Sequence, residues 1–148
     1  LVGAPFEIKG DLKVTVQFSI PYGVSVAIIR GEVCMEDFLD EARIIDPRVM
    51  AMAQKIKVVV DSEVDFEAKL PVTVEIITAN RGKFTKKVER LRGDPNYPLS
   101  EEEFHRKISS CAKYAIRPEI SNNIEQIIET VNHLEEVDHI SRLVSFLT

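Results

Sequence analysis

Apolar and polar side chains alternate along residues 12–19 (LKVTVQFS), with an apolar side chain at every even position. A period of two predicts a β-strand with one buried face. Pro21 ends this strand, because proline has no N–H to donate to a neighbouring strand. The next segment, residues 22–30 (YGVSVAIIR), is small and apolar. It predicts a buried helix that Gly31 ends in a left-handed cap.

Two short helices are predicted after this segment. Residues 35–43 place three apolar side chains on one side of a helix. In the second helix, Asp46 is the predicted N-cap and Pro47 occupies the first helical position. Residues 49–53 give that helix an apolar stripe, and we interpret its methionines as core residues.

The middle of the chain predicts three more strands. Residues 56–60 alternate like the first strand, and residues 72–78 and 84–88 flank residues 80–82 (NRG), which tolerate a turn with positive φ. We therefore predict an antiparallel hairpin from the last two strands. The acidic segment 62–70 is expected to be an exposed loop.

The last third of the chain predicts helices. Residues 92–99 (RGDPNYPL) form a loop with two prolines, and Ser100 and Glu103 have the spacing of a capping box. Residues 120–134 and 138–147 then carry apolar side chains at helical spacing.

The order of elements indicates the fold class. A strand, helices, three strands and more helices do not alternate as βαβ units do. We predict a single α+β domain over residues 1–148, in which an antiparallel sheet of about four strands packs with helices.

Charge and hydropathy exclude two classes of partner. The net charge is −5, and the densest basic stretch (Lys83 to Arg92) is interrupted by an acid, whereas a nucleic-acid surface needs a clustered basic patch. No apolar run approaches the ~20 residues that cross a bilayer, and the amino-terminal residues do not resemble a signal peptide. We expect a cytoplasmic protein that binds neither nucleic acid nor membrane.

The sequence contains no self-sufficient catalytic or metal-binding motif. Cys34 and Cys111 lack metal-ligand spacing, and we expect both to be reduced, buried thiols. His133 and His139 flank three acids, but positions six apart do not share a helix face, which favours a solvated polar face over a metal site. His105 is expected at the surface. We predict no metal and no cofactor.

Tyr22 is the one residue that suggests chemistry. It lies between Pro21 and Gly23, where the predicted strand gives way to the predicted helix. A helix start offers free N–H groups that favour a carboxylate, and a phenol there would donate a hydrogen bond or a proton. The alternative is a tyrosine that packs its ring in the core.

Two segments resemble the MmgE/PrpD family. Residues 18–31 (FSIPYGVSVAIIRG), followed by residues 46–49 (DPRV), are similar to its FSLPY-x-VAVAL-x-x-G and DP-x-V segments. Residues 93–100 (GDPNYPLS) are similar to its GDP-x-NPLS segment, although Asn96 comes one position early and Tyr97 takes its usual place. The elements between these segments match in order, so the resemblance covers nearly the whole chain.

The resemblance implies both a fold and a chemistry. The fold is the family's second, lid-like α+β domain, which packs on a larger all-helical domain. Members include 2-methylcitrate dehydratase, cis-aconitate decarboxylase and iminodisuccinate epimerase, and they act on small di- or tricarboxylates by moving a proton next to a carboxylate. Most need neither a metal nor an organic cofactor. Tyr22 matches a tyrosine that lines the family's substrate cleft, so it is our predicted catalytic residue.

The resemblance also implies that the active site is shared. The family's Lys-x-Tyr-Pro segment and the acid–base residues of its helical domain have no counterpart in residues 1–148. We therefore expect the chain to be the carboxy-terminal part of a two-domain lyase or isomerase, inactive alone, with the helical domain and a second copy as partners. The alternative is a non-catalytic α+β module for interaction or dimerisation.

Overall fold

The computed structural model describes residues 2–60 and 71–148. Within these ranges the chain forms nine α-helices, one short 3₁₀ helix and one antiparallel pair of strands. The α-helices are α1 Leu12–Gln17, α2 Ile20–Arg30, α3 Glu36–Leu39, α4 Glu41–Ile44, α5 Pro47–Ala53, α6 Glu101–Ala112, α7 Pro118–Asn122, α8 Ile124–Asn132 and α9 Ser141–Ser145. The strands are β1 Val72–Thr78 and β2 Gly82–Val88, and the 3₁₀ helix is Leu134–Glu136. No helix in the described ranges is long and apolar enough to cross a membrane.

The first predicted strand is wrong, because its residues form helix α1. The Asp11 carboxylate accepts a hydrogen bond from the Val14 N–H at 2.9 Å and caps the helix. Leu12 and Val16, which are four residues apart, both face the core. In a half-buried strand, Val14 and Phe18 would be buried on the same face as Leu12 and Val16. They are instead 54% and 61% exposed. Alternation over so few residues does not distinguish the two periods.

Helix α2 forms where the sequence predicts it and is capped at both ends. The Ser19 hydroxyl accepts a hydrogen bond from the Tyr22 N–H at 3.2 Å, and Pro21 lies in the first turn. Gly31 ends the helix with a φ of 83°, which glycine adopts without the steric cost of a Cβ. These local signals place Tyr22 on the first turn of the helix.

The region from α3 to α5 contains three short helices, whereas the sequence predicts two. Asp40 adopts an extended conformation with a ψ of 112°, which splits the single predicted helix into α3 and α4. The Asp40 carboxylate then caps α4 by accepting from the Ala42 N–H at 2.9 Å. The predicted cap of α5 is confirmed, since Asp46 accepts from the Arg48 N–H at 2.9 Å.

The predicted hairpin is confirmed, but the predicted sheet of about four strands is wrong. Strands β1 and β2 pair antiparallel from Val72 with Val88 to Thr78 with Gly82, and in the described ranges these are the only two strands. Residues 56–60 have strand-like composition but no hydrogen-bonded neighbour strand there, so they form no ladder. The predicted loop at 62–70 lies outside the described residues.

The carboxy-terminal helices follow their capping signals. The predicted capping box is confirmed: the Ser100 hydroxyl accepts from the Glu103 N–H at 3.2 Å, and the Glu103 carboxylate accepts from the Ser100 N–H at 2.8 Å. The long helix predicted at 120–134 is divided near Asn123 into α7 and α8. The last predicted helix is shortened to α9.

The main core lies among helices α1 to α5. Its buried residues are Phe6, Val16, Tyr22, Val26, Ile44, Val49 and Ala53. Leu12, Ile29, Phe38 and Met50 pack against it and are partly buried. This core surrounds Tyr22, the residue that the sequence singled out.

Candidate functional site

Tyr22 lies at the centre of the main core. Its side chain is fully buried, with 0% exposure. The ring packs between Phe6 and Phe38, with centroid distances of 5.9 and 5.7 Å, and meets Phe38 edge to face. Helix α2 supplies Tyr22, α3 supplies Phe38, and the segment before α1 supplies Phe6. These contacts match the packing alternative, and the catalytic role of Tyr22 remains a prediction.

The Tyr22 hydroxyl already donates a hydrogen bond within the core. It donates to the main-chain carbonyl of Asp37 at 2.6 Å. Burial is the main cause that raises the pKa of Tyr22 above its ordinary value of 10.0, against a lowering by the nearby Arg30. The phenol is therefore protonated at neutral pH. It is able to donate a proton or a hydrogen bond, but it is not a base.

Asp37, on α3, carries a charged side chain that is fully buried, with 0% exposure. Its Oδ1 accepts from Arg43 Nη2 at 2.8 Å and Nε at 3.0 Å, and also from Arg30 Nη1. Its Oδ2 accepts from the Cys34 N–H at 2.9 Å. The carboxylate thus holds two guanidinium groups and one main-chain donor, which compensates for its burial.

Arg30 joins this carboxylate to a second one. Its Nη2 donates to the carbonyl of Arg43 at 2.8 Å and lies 3.3 Å from Asp46 Oδ2. Asp46 also accepts from Arg48 Nη2 at 2.9 Å, and this partner is the main reason that the pKa of Asp46 falls well below its usual range. The network, which we call the Asp37 cluster (Arg30, Asp37, Arg43, Asp46), ties the end of α2 to α3, α4 and α5.

The titration behaviour of the cluster follows from its contacts. Burial raises the pKa of Asp37, but the hydrogen bonds from Cys34, Arg43 and Arg30 outweigh it, so the pKa is lowered. The Cys34 thiol donates to Asp37 Oδ2 at 3.1 Å, and burial followed by this bond raises its pKa to about 11. Because the thiolate is the reactive form, Cys34 is a neutral thiol and not a nucleophile at pH 7. The prediction that both cysteines are buried is wrong, since Cys34 is only partly buried and Cys111 is exposed.

Sequence reasoning missed the Asp37 cluster. Arg30, Asp37 and Arg43 lie on three different elements, with spacings that match no local motif. The one signal was the helix cap at Asp46, whose carboxylate also reaches Arg30. Both acids of the cluster are already paired with arginines, namely Asp37 with Arg30 and Arg43, and Asp46 with Arg30 and Arg48. It stabilises the turn whose carbonyl orients Tyr22.

The histidines are at the surface. His105 Nδ1 lies 3.7 Å from Glu125 Oε2, and His133 Nε2 lies 3.6 Å from Glu129 Oε1. Both histidine side chains are about half exposed, at 43% and 53%. In the part of the chain that the structure describes, no three potential ligands are grouped as a metal site would require.

The loop before α6 (residues 92–99), which we call the clamped loop, is held against that helix by side-chain contacts. Gly93 has a φ of 95°, and the Asp94 carboxylate accepts from the Asn96 N–H at 2.7 Å. Arg92 lies over the Tyr97 ring, 4.5 Å from its centroid, and also forms an ion pair with Glu103. The loop and the start of α6 border an open, mainly apolar groove of about 410 Å³. The GDPNYPLS motif therefore builds a turn and anchors it to a helix.

The contacts of Glu103 with Ser100 and Arg92 should make the stability of the protein depend on pH. Hydrogen bonding from Ser100 and then Arg92 lowers the pKa of Glu103 from 4.5 to about 2. Because the folded pKa is the lower one, the stabilisation is present above pH 4.5 and is lost as the pH falls towards 2. We expect Glu103→Gln to lower the melting temperature at pH 7 but not at pH 2.

The control is Glu102→Gln, a neighbouring acid on the same helix that has no ion pair with another described residue. Thermal melts followed by circular dichroism between pH 2 and pH 7 measure both variants. If the wild-type and Glu103→Gln melting curves stay separated by the same amount at every pH, the Glu103 carboxylate does not carry this stabilisation.

The profile of the MmgE/PrpD C-terminal domain matches residues 7–133, which is most of the 148-residue chain. A search of curated proteins finds no match. The matched range includes Tyr22, the Asp37 cluster, the hairpin and the clamped loop. The chain therefore belongs to the MmgE/PrpD C-terminal domain family.

Proposed function

We propose that this chain is the carboxy-terminal domain of a cytoplasmic lyase or isomerase that acts on a small di- or tricarboxylate. The observation that carries the proposal is the family match over residues 7–133. The chemistry is proton transfer next to a carboxylate, performed by side chains. The resemblance to the family implies that this reaction needs neither a metal nor an organic cofactor.

The proposal gives Tyr22 a role on the wall of the substrate cleft. Its hydroxyl is protonated, so it suits hydrogen bonding to an anionic substrate or proton donation. The hydroxyl is also buried and donates to Asp37. Direct contact with the substrate therefore requires the α3 turn to release this bond, and we propose that binding of the substrate does so.

Other groups of the site belong to partners. One face of the hairpin carries Val72, Val74, Ile76 and Phe84, which are between 36% and 52% exposed. A two-stranded hairpin is at most marginally stable in water unless another surface covers its apolar face. We propose that a helical domain of the same enzyme packs here and supplies the remaining acid–base residues, and that the enzyme is a homodimer.

The test uses the full-length protein that contains this chain. It is incubated with 2-methylcitrate, citrate and cis-aconitate in D₂O, and NMR follows proton exchange and product formation. We expect exchange or turnover with at least one of the three. A folded sample that exchanges none of them overturns the polycarboxylate assignment and favours the interaction module.

Tyr22→Phe tests the role of the hydroxyl. Loss of one hydrogen bond costs about 1 kcal/mol, so the protein should remain folded. If the hydroxyl acts as an acid, we expect kcat to fall roughly a hundredfold while KM changes little. Tyr97→Phe, which removes a hydroxyl from a half-exposed ring, is the matched control. Unchanged kcat and KM in Tyr22→Phe would remove Tyr22 from the active site.

A further inference from the structure

Asp37 connects the Tyr22 hydroxyl to a guanidinium group, because its main chain holds one and its side chain holds the other. The main-chain carbonyl of Asp37 accepts from the Tyr22 hydroxyl at 2.6 Å. Its side-chain Oδ1 accepts from Arg43 Nη2 at 2.8 Å and from Arg43 Nε at 3.0 Å. Asp37 lies on helix α3, which has only four residues. A change in the contact with Arg43 therefore acts on the turn that holds the Tyr22 hydroxyl.

Arg43 is the more accessible of the two arginines that bind the Asp37 carboxylate. Its side chain is 39% exposed, compared with 15% for Arg30, which also pairs with Asp46. Within the described residues, Arg43 Nη1 donates to no other group, and no side-chain nitrogen or oxygen is both buried and unpaired, so Nη1 reaches solvent. Glu36 acts on Arg43 through space but forms no ion pair with it in that part of the chain. Arg43 therefore presents a free N–H to an anion that arrives from solvent.

The Asp37 carboxylate does not depend on Arg43 alone. Without Arg43 it keeps the ion pair with Arg30 and accepts from the Cys34 N–H at 2.9 Å, so its buried charge stays compensated. The main chain of α4 is also held, because Arg30 donates to the Arg43 carbonyl at 2.8 Å. The Arg43 side chain is therefore able to turn outward while its helix stays in place. Asp37 Oδ1 then loses two hydrogen bonds, and α3 is held less firmly against the core.

We propose that Arg43 is the residue through which a carboxylate of the substrate frees the Tyr22 hydroxyl. The inference rests on the proposed function and names the group that binds its substrate. The carboxylate accepts two hydrogen bonds from the Arg43 guanidinium, which turns away from Asp37. The α3 turn then moves, and the Tyr22 hydroxyl donates to the substrate in place of the Asp37 carbonyl. The substrate shifts this equilibrium because it binds the released state more tightly than the closed one.

NMR of the full-length protein, labelled with ¹³C at the ζ carbon of tyrosine, tests this step without the need for turnover. Tyr22→Phe identifies the Tyr22 signal. The probes are 2-methylcitrate, citrate and cis-aconitate, and sodium chloride at equal ionic strength is their control. We expect at least one probe to shift the Tyr22 signal of the wild-type protein, and Arg43→Gln to abolish that shift. Arg48→Gln is the matched control, since Arg48 pairs with Asp46 and not with Asp37, and it should keep the shift.

Steady-state kinetics of the same variants separate the binding of substrate from the chemical step. We expect Arg43→Gln to raise KM roughly tenfold, because it removes charged hydrogen-bond donors from the carboxylate. Arg43→Lys keeps the charge but not the planar set of donors, so it should recover only part of both the KM and the NMR shift. It also provides the measurement if Arg43→Gln does not fold. Arg48→Gln should change KM less than roughly twofold.

The outcomes of the two experiments are distinguishable. A Tyr22 signal that shifts equally in the wild-type protein and in the Arg43 variants overturns the inference. So does a signal that none of the three probes shifts, or that sodium chloride shifts as much as they do. A shift that depends on Arg43 supports the inference even if the protein turns over none of the three compounds. The lack of turnover would then contradict the proposed reaction and not the release of Tyr22 by a carboxylate.

Discussion

Asp37→Ala is expected to destabilise the protein by about 3 kcal/mol, because removal of one partner from a buried ion pair leaves the other charge uncompensated. Asp37 is fully buried and holds Arg30, Arg43 and the Cys34 N–H. We place the effect at the lower end of the range for buried pairs. The side chain of Arg43 is 39% exposed and turns readily to water, and Arg30 keeps its contact with Asp46.

Urea denaturation followed by far-ultraviolet circular dichroism measures this effect. Asp138→Ala is the matched control, since Asp138 is exposed and forms no ion pair within the described residues, and it should change the stability by less than about 0.5 kcal/mol. Asp37→Asn keeps an oxygen for the Cys34 N–H and should cost less than Asp37→Ala. Equal stabilities for Asp37→Ala and Asp138→Ala would show that the cluster contributes nothing to folding.

Tyr22→Ala is expected to destabilise the protein by about 4 kcal/mol, because removal of a large buried aromatic side chain leaves a cavity. The ring fills the space between Phe6 and Phe38, and its hydroxyl satisfies the Asp37 carbonyl. The variant therefore loses both packing and the partner of a buried acceptor.

The comparison with Tyr22→Phe separates these two losses. Tyr22→Phe keeps the ring and should cost only about 1 kcal/mol. Tyr97→Ala removes a ring that is 47% exposed and should cost clearly less than Tyr22→Ala. If Tyr22→Ala were as stable as Tyr97→Ala in the same urea titration, Tyr22 would not be a core residue in solution, and its access to a substrate would need no rearrangement.

The features that sequence predicted well are those that neighbouring residues create among themselves. Ser100 and Glu103 form their capping box, and Asp46 caps α5. Gly31 and Gly82 adopt the positive φ values that a helix end and a hairpin turn require. Each of these depends on contacts within about four residues, so the pattern of residue types is sufficient.

The prediction of a first strand failed for the opposite reason. Leu12, Val14, Val16 and Phe18 satisfy a period of two, yet Leu12 and Val16 alone also satisfy a period of four. Six residues are too few for either local propensity to prevail. The buried position of Val16 against the core cluster favours the helix, and that position depends on helices much later in the chain.

Residues 56–60 show the same limit for strands. Their β-branched side chains suit a strand, but a strand exists only when another segment offers its hydrogen-bonding groups. The described ranges contain no such neighbour for this segment. The number of strands is therefore a property of the assembled fold and was not available from the pattern.

The sequence predicted the position of Tyr22 along the chain, and the tertiary structure determined its surroundings. The order and spacing of the motifs identified the family, and the caps placed Tyr22 on the first turn of α2. Only the tertiary structure showed that its ring is fully buried and that its hydroxyl donates to Asp37, fifteen residues away. It also assembled Arg30, Asp37 and Arg43 from separate elements. Caps and turns arise from local hydrogen bonds, whereas burial and long-range ion pairs arise only when the whole chain packs.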